Sequence, residues 1–511
     1  MTSAFATSQR HGKAAVRGDG GMVAAQNRAA AAVGAAVLAD GGNAVDAAVA
    51  TAFALATLEP WMSGLGGGGT MLVHLAAERR TVAVDFGMVA PRRLDAADYP
   101  LTGATGGDLF GWPAVLDDRN VSGPLSIAVP GSVDGLGLAL EQFGTRPLAA
   151  ILEPAIALAD KGLPIDWFSA LLASTGASGL RRFPASAAVW LPGGLPPVPD
   201  STGAATWLPL PGLAGTLRTL AREGRRAFYE GALARGIAAD VQALGGRLAA
   251  DDLAGYRARI VDPLQIAYRD HRVLAMPGLY AGRTLARSLE LLGPVATPDY
   301  GDFAAVLKTA YDERLGSMGD SAAQPSCTTH IAAVDRHGNL VSLTNTLLSL
   351  FGSRVVLPSS GVLMNNGIMW FDPRPGGPNA LAPGKRPLSN MCPTLAFAAD
   401  GRALALGASG GRKILPAVLQ ILSHVLDGGL HLEAAFARPR LDYSGGDLVT
   451  LDSRIPAEVR EALAARWQCR ELAPTVYPLG WACPVGVLRQ PGGTVWGTAE
   501  PMQPWADAVA G

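Results

Sequence analysis

The sequence predicts an α/β fold of the mixed α+β kind, a layered sandwich with helices outside two packed sheets, and three features carry that expectation. Alanine-rich stretches of helical length open the chain, and alternating strands gather in its later part. A length of 511 residues with 49% hydrophobic composition suffices to bury a large core, in principle spread over two or three ordinary domains.

Taken in order, residues 27–39 and 43–57 read as two helices separated by the stop Gly41-Gly42. The apolar run 47–58 is too short to cross a bilayer and reads as a buried helix. Residues 70–74 and 81–85 alternate as half-buried strands do, on either side of a turn at Ala76-Ala77-Glu78-Arg79. Pro130-Gly131-Ser132 begins a helix over 133–143, and further helices are expected at 149–161, 213–223 and 232–244. The segment 183–211 is rich in Pro, Gly and Ser and reads as surface loop. From Thr329 the chain alternates to Asp335 and turns at Arg336-His337-Gly338-Asn339. A second strand, an irregular crossing over 370–387, two more strands and a helix over 415–426 follow, and no tandem repeat is present.

Composition excludes several classes of function. A formal net charge of -1 gives no electrostatic reason to expect nucleic acid or an acidic membrane as partner. Cys327, Cys392, Cys469 and Cys483 show no C-x-x-C spacing and no interleaved histidines, so neither a zinc site nor a dense disulfide framework is implied. The first ten residues lack a basic segment followed by an apolar run; with no secretory signal visible, a cytoplasmic location is expected. Gly 63 and Pro 37 point to many tight turns and close backbone approaches.

Chemistry centres on Thr328-Thr329-His330, at the head of the alternating segment. A threonine hydroxyl is a weak nucleophile at neutral pH, but a freed α-amine on the same residue acts as its base once the preceding bond is cut. An isolated Thr-Thr is ordinary β-branched strand filler; the surrounding blocks set this one apart. Two motifs compete for attention. Gly64-Leu65-Gly66-Gly67-Gly68-Gly69 satisfies G-x-G-x-x-G, yet it follows a helix and precedes a strand, the reverse of the dinucleotide-binding context, so packing beneath the active site is the expected role. Gly407-Ala408-Ser409-Gly410-Gly411 matches a G-x-S-x-G nucleophile elbow, for which the histidines later in the chain are His424, inside the following helix, and His431. That serine reading ranks below the threonine one.

Upstream lie Gly41-Gly42-Asn43-Ala44-Val45-Asp46-Ala47-Ala48 and Glu59-Pro60-Trp61-Met62-Ser63-Gly64 with its glycine run. Downstream lie Val341-Ser342-Leu343-Thr344-Asn345-Thr346, Phe351-Gly352-Ser353, Gly361-Val362-Leu363-Met364-Asn365-Asn366, Lys385-Arg386-Pro387-Leu388-Ser389-Asn390-Met391-Cys392-Pro393-Thr394 and the Gly407 to Gly411 block. In this order, from about Gly21 to about Pro501, the segments resemble the γ-glutamyltransferase family of N-terminal-nucleophile hydrolases.

The resemblance implies an αββα sandwich and a proenzyme that cuts its own Cys327-Thr328 bond. Residues 1–20 would form a flexible terminus, 21–327 a large chain and 328–511 a small chain. The two chains would stay packed as one unit, a heterodimer open to further dimerisation. Thr328 is then the nucleophile, Thr346 the residue that positions its hydroxyl, and Gly410 and Gly411 the oxyanion donors, with no metal or organic cofactor.

The chain departs from the family where the glutamyl group is read. Gly87 stands near the place of an arginine, Leu348 replaces an asparagine, and the Gln and Asp after Asn-Asn give way to Gly367-Ile368-Met369-Trp370. Ser-Ser has become Ser389-Asn390, and the lid segment 372–384 is short and carries four prolines. A γ-glutamyl substrate needs partners for both an ammonium and a carboxylate. The expected substrate is instead a small carboxylate-bearing amide, compatible with the subgroup that hydrolyses oxamate. Arg412 is the first candidate for its cation, Arg354 the second, and Trp370 and Leu348 narrow the pocket. Competing readings are a genuine γ-glutamyltransferase or glutathione hydrolase, an acylase for a larger acyl amide, and an inactive relative serving as a binding protein.

Overall fold

The computed structural model describes residues 12–106, 111–318, 327–477 and 480–511. The helix Arg28–Ala39 starts at Asn27, whose side chain accepts the N–H groups of Ala29 and Ala30. The next, Ala44–Leu58, starts at Asn43 in a reciprocal cap with Asp46. Every residue of Ala44–Leu58 is buried, as an all-round apolar helix must be. The two helices cross closely at Gly34, where a Cβ would lie 2.3 Å from Thr51 Oγ1.

Two seven-stranded sheets, antiparallel throughout, form the centre. One runs Asp507–Ala510, Met22–Ala25, Cys327–Val334, Leu340–Leu348, Gly68–Leu75, Arg80–Phe86, Arg259–Val261. The other runs Val16–Gly18, Val495–Ala499, Cys483–Arg489, Ala403–Ser409, Thr394–Phe397, His271–Ala275, Leu264–Tyr268. Buried apolar residues fall into three clusters that follow these layers. Ile331, Ala333, Val341 and Leu343 pack on the early helices; Ala332, Val334, Ala405 and Val487 meet between the sheets. Leu404 and Leu406 pack on Gly282–Leu292, Tyr300–Met318 and Ile414–Leu426. Because successive strand residues point to opposite faces, this alternation produces an αββα stack.

The expected helices and the hairpin at residues 76–79 are present: Ser132–Phe143, Leu148–Lys161, Leu213–Glu223, Gly231–Ala243, and Gly68–Leu75 paired with Arg80–Phe86. Two expectations need correction. The segment 183–211 is not all loop: Pro184 at the first helical position starts the helix Pro184–Trp190, which buries Val189 and Trp190, and Thr206–Leu208 pairs with Leu163–Ile165. Residues 1–11 of the terminus expected to be flexible lie outside the described residues, but Val16–Gly18 is already an edge strand, so ordered structure begins before Gly21. Among the described residues no helix is long and apolar enough to cross a membrane.

Candidate active site

In the uncut chain the strand Cys327–Val334 runs through the bond before Thr328. It pairs antiparallel with Leu340–Leu348, with Thr329 opposite Asn345 and His330 opposite Thr344, and the register shifts between Cys327 and Thr329. This irregularity falls at the residue expected to react. Thr328 is buried, and its Oγ1 lies 3.2 Å from Thr346 Oγ1. Thr346 Oγ1 in turn accepts the Leu348 N–H at 2.8 Å, delivered where a φ of 87° at Leu348 turns the chain out of the strand. The glycine run lies alongside in the same sheet rather than beneath it: Gly68 is the register partner of Thr346, and a Cβ at Gly69 would lie 2.2 Å from Thr344 O.

His330 shares the face of Thr328 and points at the opposite sheet, its ring resting on Gly407, where a Cβ would lie 2.2 Å away. Ser342 Oγ donates to Leu406 O at 3.0 Å and accepts the Thr394 N–H at 3.1 Å. The His330 Nε2 contact with that hydroxyl at 3.3 Å therefore assigns the ring proton to Nε2, leaving Nδ1 to accept from Thr344 Oγ1 at 3.0 Å. Burial pushes His330 down to about 3, so it is neutral at working pH and tethers the sheets rather than acting as a base.

The strand packed against His330 ends at Ser409, and Gly410 and Gly411 follow with φ of 130° and 61° before the helix Ile414–Leu426. At Gly410 a Cβ would lie 2.8 Å from Ala482 Cα, so only glycine fits. The turn thus follows directly on the strand whose Gly407 packs on the His330 ring, two residues along from Thr328. Ser409 lacks the partners of a serine nucleophile: its hydroxyl accepts from Gln26 Nε2, while the His424 ring packs edge-on to Phe303 and the His431 ring to Trp496.

Two cavities meet at Trp370. The smaller is lined by Arg412, Arg314, Asn390, Asn379 and Trp112, with no carboxylate in its lining among the described residues. The larger is lined by Gly87, Met88, Met276, Leu279, Tyr280, Arg386 and Ser389, with Asp85 in its wall. Of the residues expected at the substrate, Arg412, Asn390 and Trp370 come together in the first, and Gly87, Ser389 and Trp370 in the second. Arg354 lines neither; a Cβ at Gly179 would lie 2.1 Å from its side chain, which packs on the helix Trp167–Leu180. The lid segment is tied down by Asn379, whose Nδ2 donates to Trp370 O at 2.7 Å and whose Oδ1 accepts the Leu388 N–H.

Three site residues escaped the sequence reading. Arg386 reaches the side of Gly87, donating to Gly87 O at 3.0 Å and to Asp85 Oδ1 at 3.2 Å. Burial alone would push Asp85 up, but Arg386 beside it, with the Tyr280 hydroxyl, Arg259 and the Gly87 N–H, holds it below the usual carboxylate range. The signal was a carboxylate next to a missing arginine, with Arg386 inside a block already singled out. Arg314 is buried and donates to Ser389 O, Tyr280 O, Asn390 Oδ1 and Thr284 Oγ1; nothing local in the sequence marks it. Glu59, an acid directly after a fully buried helix, accepts the Thr329 hydroxyl at 2.7 Å.

Comparison with known proteins agrees with this geometry. The family model described as Gamma-glutamyltranspeptidase matches residues 30–327 and 309–509. The chain is 35% identical over 495 residues to a protein named Acylase ACY 1 proenzyme from Pseudomonas sp. (strain SE83), covering 88% of this chain and 87% of that one. It is 31% identical to the Glutathione hydrolase proenzyme of Bacillus subtilis (strain 168), covering 87% and 84%. Among solved structures it resembles the cephalosporin acylase from Bacillus halodurans, with a TM-score of 0.82, 25% identity, and coverage of 100% and 99%.

Proposed function

The chain belongs to the γ-glutamyltranspeptidase family of hydrolases and transferases, and from that premise we propose that it is a self-processing threonine amidohydrolase that takes a carboxylate-bearing acyl amide in place of γ-glutamyl compounds. In the first step Thr328 Oγ attacks the Cys327 carbonyl carbon, the amide shifts to an ester, and water hydrolyses it, freeing the Thr328 α-amine. Residues 1–327 and 328–511 remain together as a heterodimer. Thr328 Oγ then attacks the substrate carbonyl while its amine takes the proton, and the amine product leaves with that proton. The acyl-enzyme ester is hydrolysed by water. Thr346 holds the nucleophile, and the Gly410 and Gly411 N–H groups receive the oxyanion; one such donor is worth roughly 3–4 kcal/mol of barrier.

One observation carries the choice of substrate. The carboxylate in the wall of the larger cavity, Asp85, is already engaged by Arg386, Arg259, the Tyr280 hydroxyl and the Gly87 N–H, and the smaller cavity's lining has none. Among the described residues a γ-glutamyl ammonium entering either cavity meets no free anion, and burying it unpaired costs several kcal/mol. The smaller cavity instead gathers the positive charge of Arg412 and of Arg314, whose own donors hold Ser389, Tyr280, Asn390 and Thr284, and that field suits a lone carboxylate and so a short, oxamate-like amide. The larger cavity, walled by Met88, Met276, Leu279 and Met391, favours a second reading, an acylase for a longer apolar acyl group, and the likeness to proteins named acylase weighs in its support.

The test is a rate comparison of processed enzyme on oxamate, longer acyl amides and a γ-glutamyl anilide. The γ-glutamyl compound should fall at least about a hundredfold below the best amide, since each 1.4 kcal/mol is roughly tenfold. Arg412→Ala should raise KM for the short amide and leave self-cleavage intact. Equal turnover of the γ-glutamyl anilide would return the protein to γ-glutamyl chemistry, and an uncut, inert chain would make it a binding protein.

A further inference from the structure

Glu59 is a buried acid for which the chemistry described so far has no use. It closes the helix Ala44–Leu58 and is fully shielded from solvent. One oxygen, Oε2, accepts the Thr329 hydroxyl at 2.7 Å; the other, Oε1, has no hydrogen-bond partner. Among the described residues no cation pairs with it, and burial raises it to about 8. The Cys483 thiol, at a strand end of the other sheet, feels its charge, but burial pushes that thiol up to about 12 and it is neutral across the same range. A buried carboxyl with a single partner is a poor choice for stability, because an apolar or amide side chain of similar size avoids the desolvation cost. Its presence therefore calls for another account.

The strand geometry supplies one. Thr328 and His330 face the opposite sheet, so Thr329 between them faces the helical layer, where Asn345, its register partner, accepts the Ser132 hydroxyl at 2.7 Å. Glu59 lies on that far side and acts on Thr328 only through the main chain. The main chain there is irregular, with the register shift falling between Cys327 and Thr329, so the strand ladder alone does not fix it. Attack on the preceding carbonyl demands close alignment, and a misplacement of about 1 Å costs on the order of a hundredfold.

We propose that Glu59 is a positioning residue for cleavage before Thr328: through the Thr329 hydroxyl it anchors the main chain one residue past the bond that is cut, and it does so as a neutral acid. The Thr329 hydroxyl by itself favours the ionised acid, but the dry site leaves that charge otherwise unpaired, and drawing the side chain toward water, away from Thr329, is what relieves it. The inference rests on the self-processing reading of Thr328.

The experiment follows the splitting of freshly made, uncut precursor on denaturing gels between about pH 6 and pH 10. At pH 7 Glu59→Leu and Thr329→Val should cut at least roughly tenfold more slowly than the parent chain, and Glu59→Gln, which keeps an acceptor for Thr329, should stay close to it. The parent should lose rate above about pH 8, where the carboxyl ionises, and Glu59→Gln should not. Should Glu59→Leu fail to fold, Thr329→Val and the pH profile of Glu59→Gln decide the matter. A Thr329→Val chain that cuts at the parental rate, or a Glu59→Gln chain that keeps the parental fall above pH 8, overturns the inference and leaves Thr328 chemistry standing. A parent chain that never splits overturns the self-processing reading and this inference together.

Discussion

The strand pair that carries Thr328 and the wall of the two cavities that meet at Trp370 handle polarity in opposite ways. On the strands, Thr328, Thr346, His330, Thr344 and Ser342 are buried and uncharged, joined by short cross-strand contacts and by bonds to the facing sheet. In the wall, Asp85, Arg259, Arg386, Arg314 and Arg412 are charged, and Asp85 is held by several donors at once. The polar groups of the seam are thus paired without charge, whereas the wall spends its charges on holding its own shape. Under the proposed function chemistry and specificity are separable, and a change of substrate needs changes only in the wall.

The harshest test of the seam is Thr328→Ala, which should leave one uncut chain and no amidase activity, read on a denaturing gel and by substrate assay. Next in size is Gly407→Ala. Its Cβ would fall 2.2 Å from the His330 ring, and forcing the sheets apart should cost roughly 1–3 kcal/mol, read as a lower melting temperature. The same ring should give the wild type an acid limb. His330 binds no proton until about 3, while the unfolded chain takes one near 6.5, so stability should fall as pH drops through that window. His330→Gln should show a flatter limb there.

The wall is tested by Arg386→Ala, which should cost about 1–3 kcal/mol at pH 7 by loosening the hold on Asp85. Asp85 is held below the usual range, so this contribution is present above the unfolded value of 3.8 and lost as pH falls through the folded one. Wild type and variant should therefore converge in strong acid, and self-cleavage should be unchanged. The smallest effect belongs to Ser409→Ala, which removes one acceptor of Gln26 and should cost about 1 kcal/mol while cleavage and turnover persist. A processed but inert Ser409→Ala would break the distinction by giving the serine a chemical part.

Much of the seam could be read in the sequence because the family resemblance pointed to Thr328, Thr346, Gly410 and Gly411, although the strand register shifts at Thr328. Thr346 lies opposite Thr328 across a single turn, and Gly410 and Gly411 follow directly on a strand end. The helices at Asn27 and Asn43 were equally legible, since an N-cap and an apolar run are local signals. The helix Pro184–Trp190 hid behind a Pro-rich composition. The wall hid for a different reason: Arg386 meets Asp85 from 301 positions away, and Arg314 and Glu59 are placed by packing between layers. Arg354 was close to the Thr346 block in sequence, yet its backbone, at a φ of 65°, sends it to another helix.

The most direct test of the account is the intact mass of the purified protein under denaturing conditions, with sequencing of the new amino terminus. Two chains, residues 1–327 and 328–511, with Thr328 first in the second and both held together before denaturation, is the result the neutral threonine seam requires. A single mass for the whole chain, or a cut at any other bond, would contradict it.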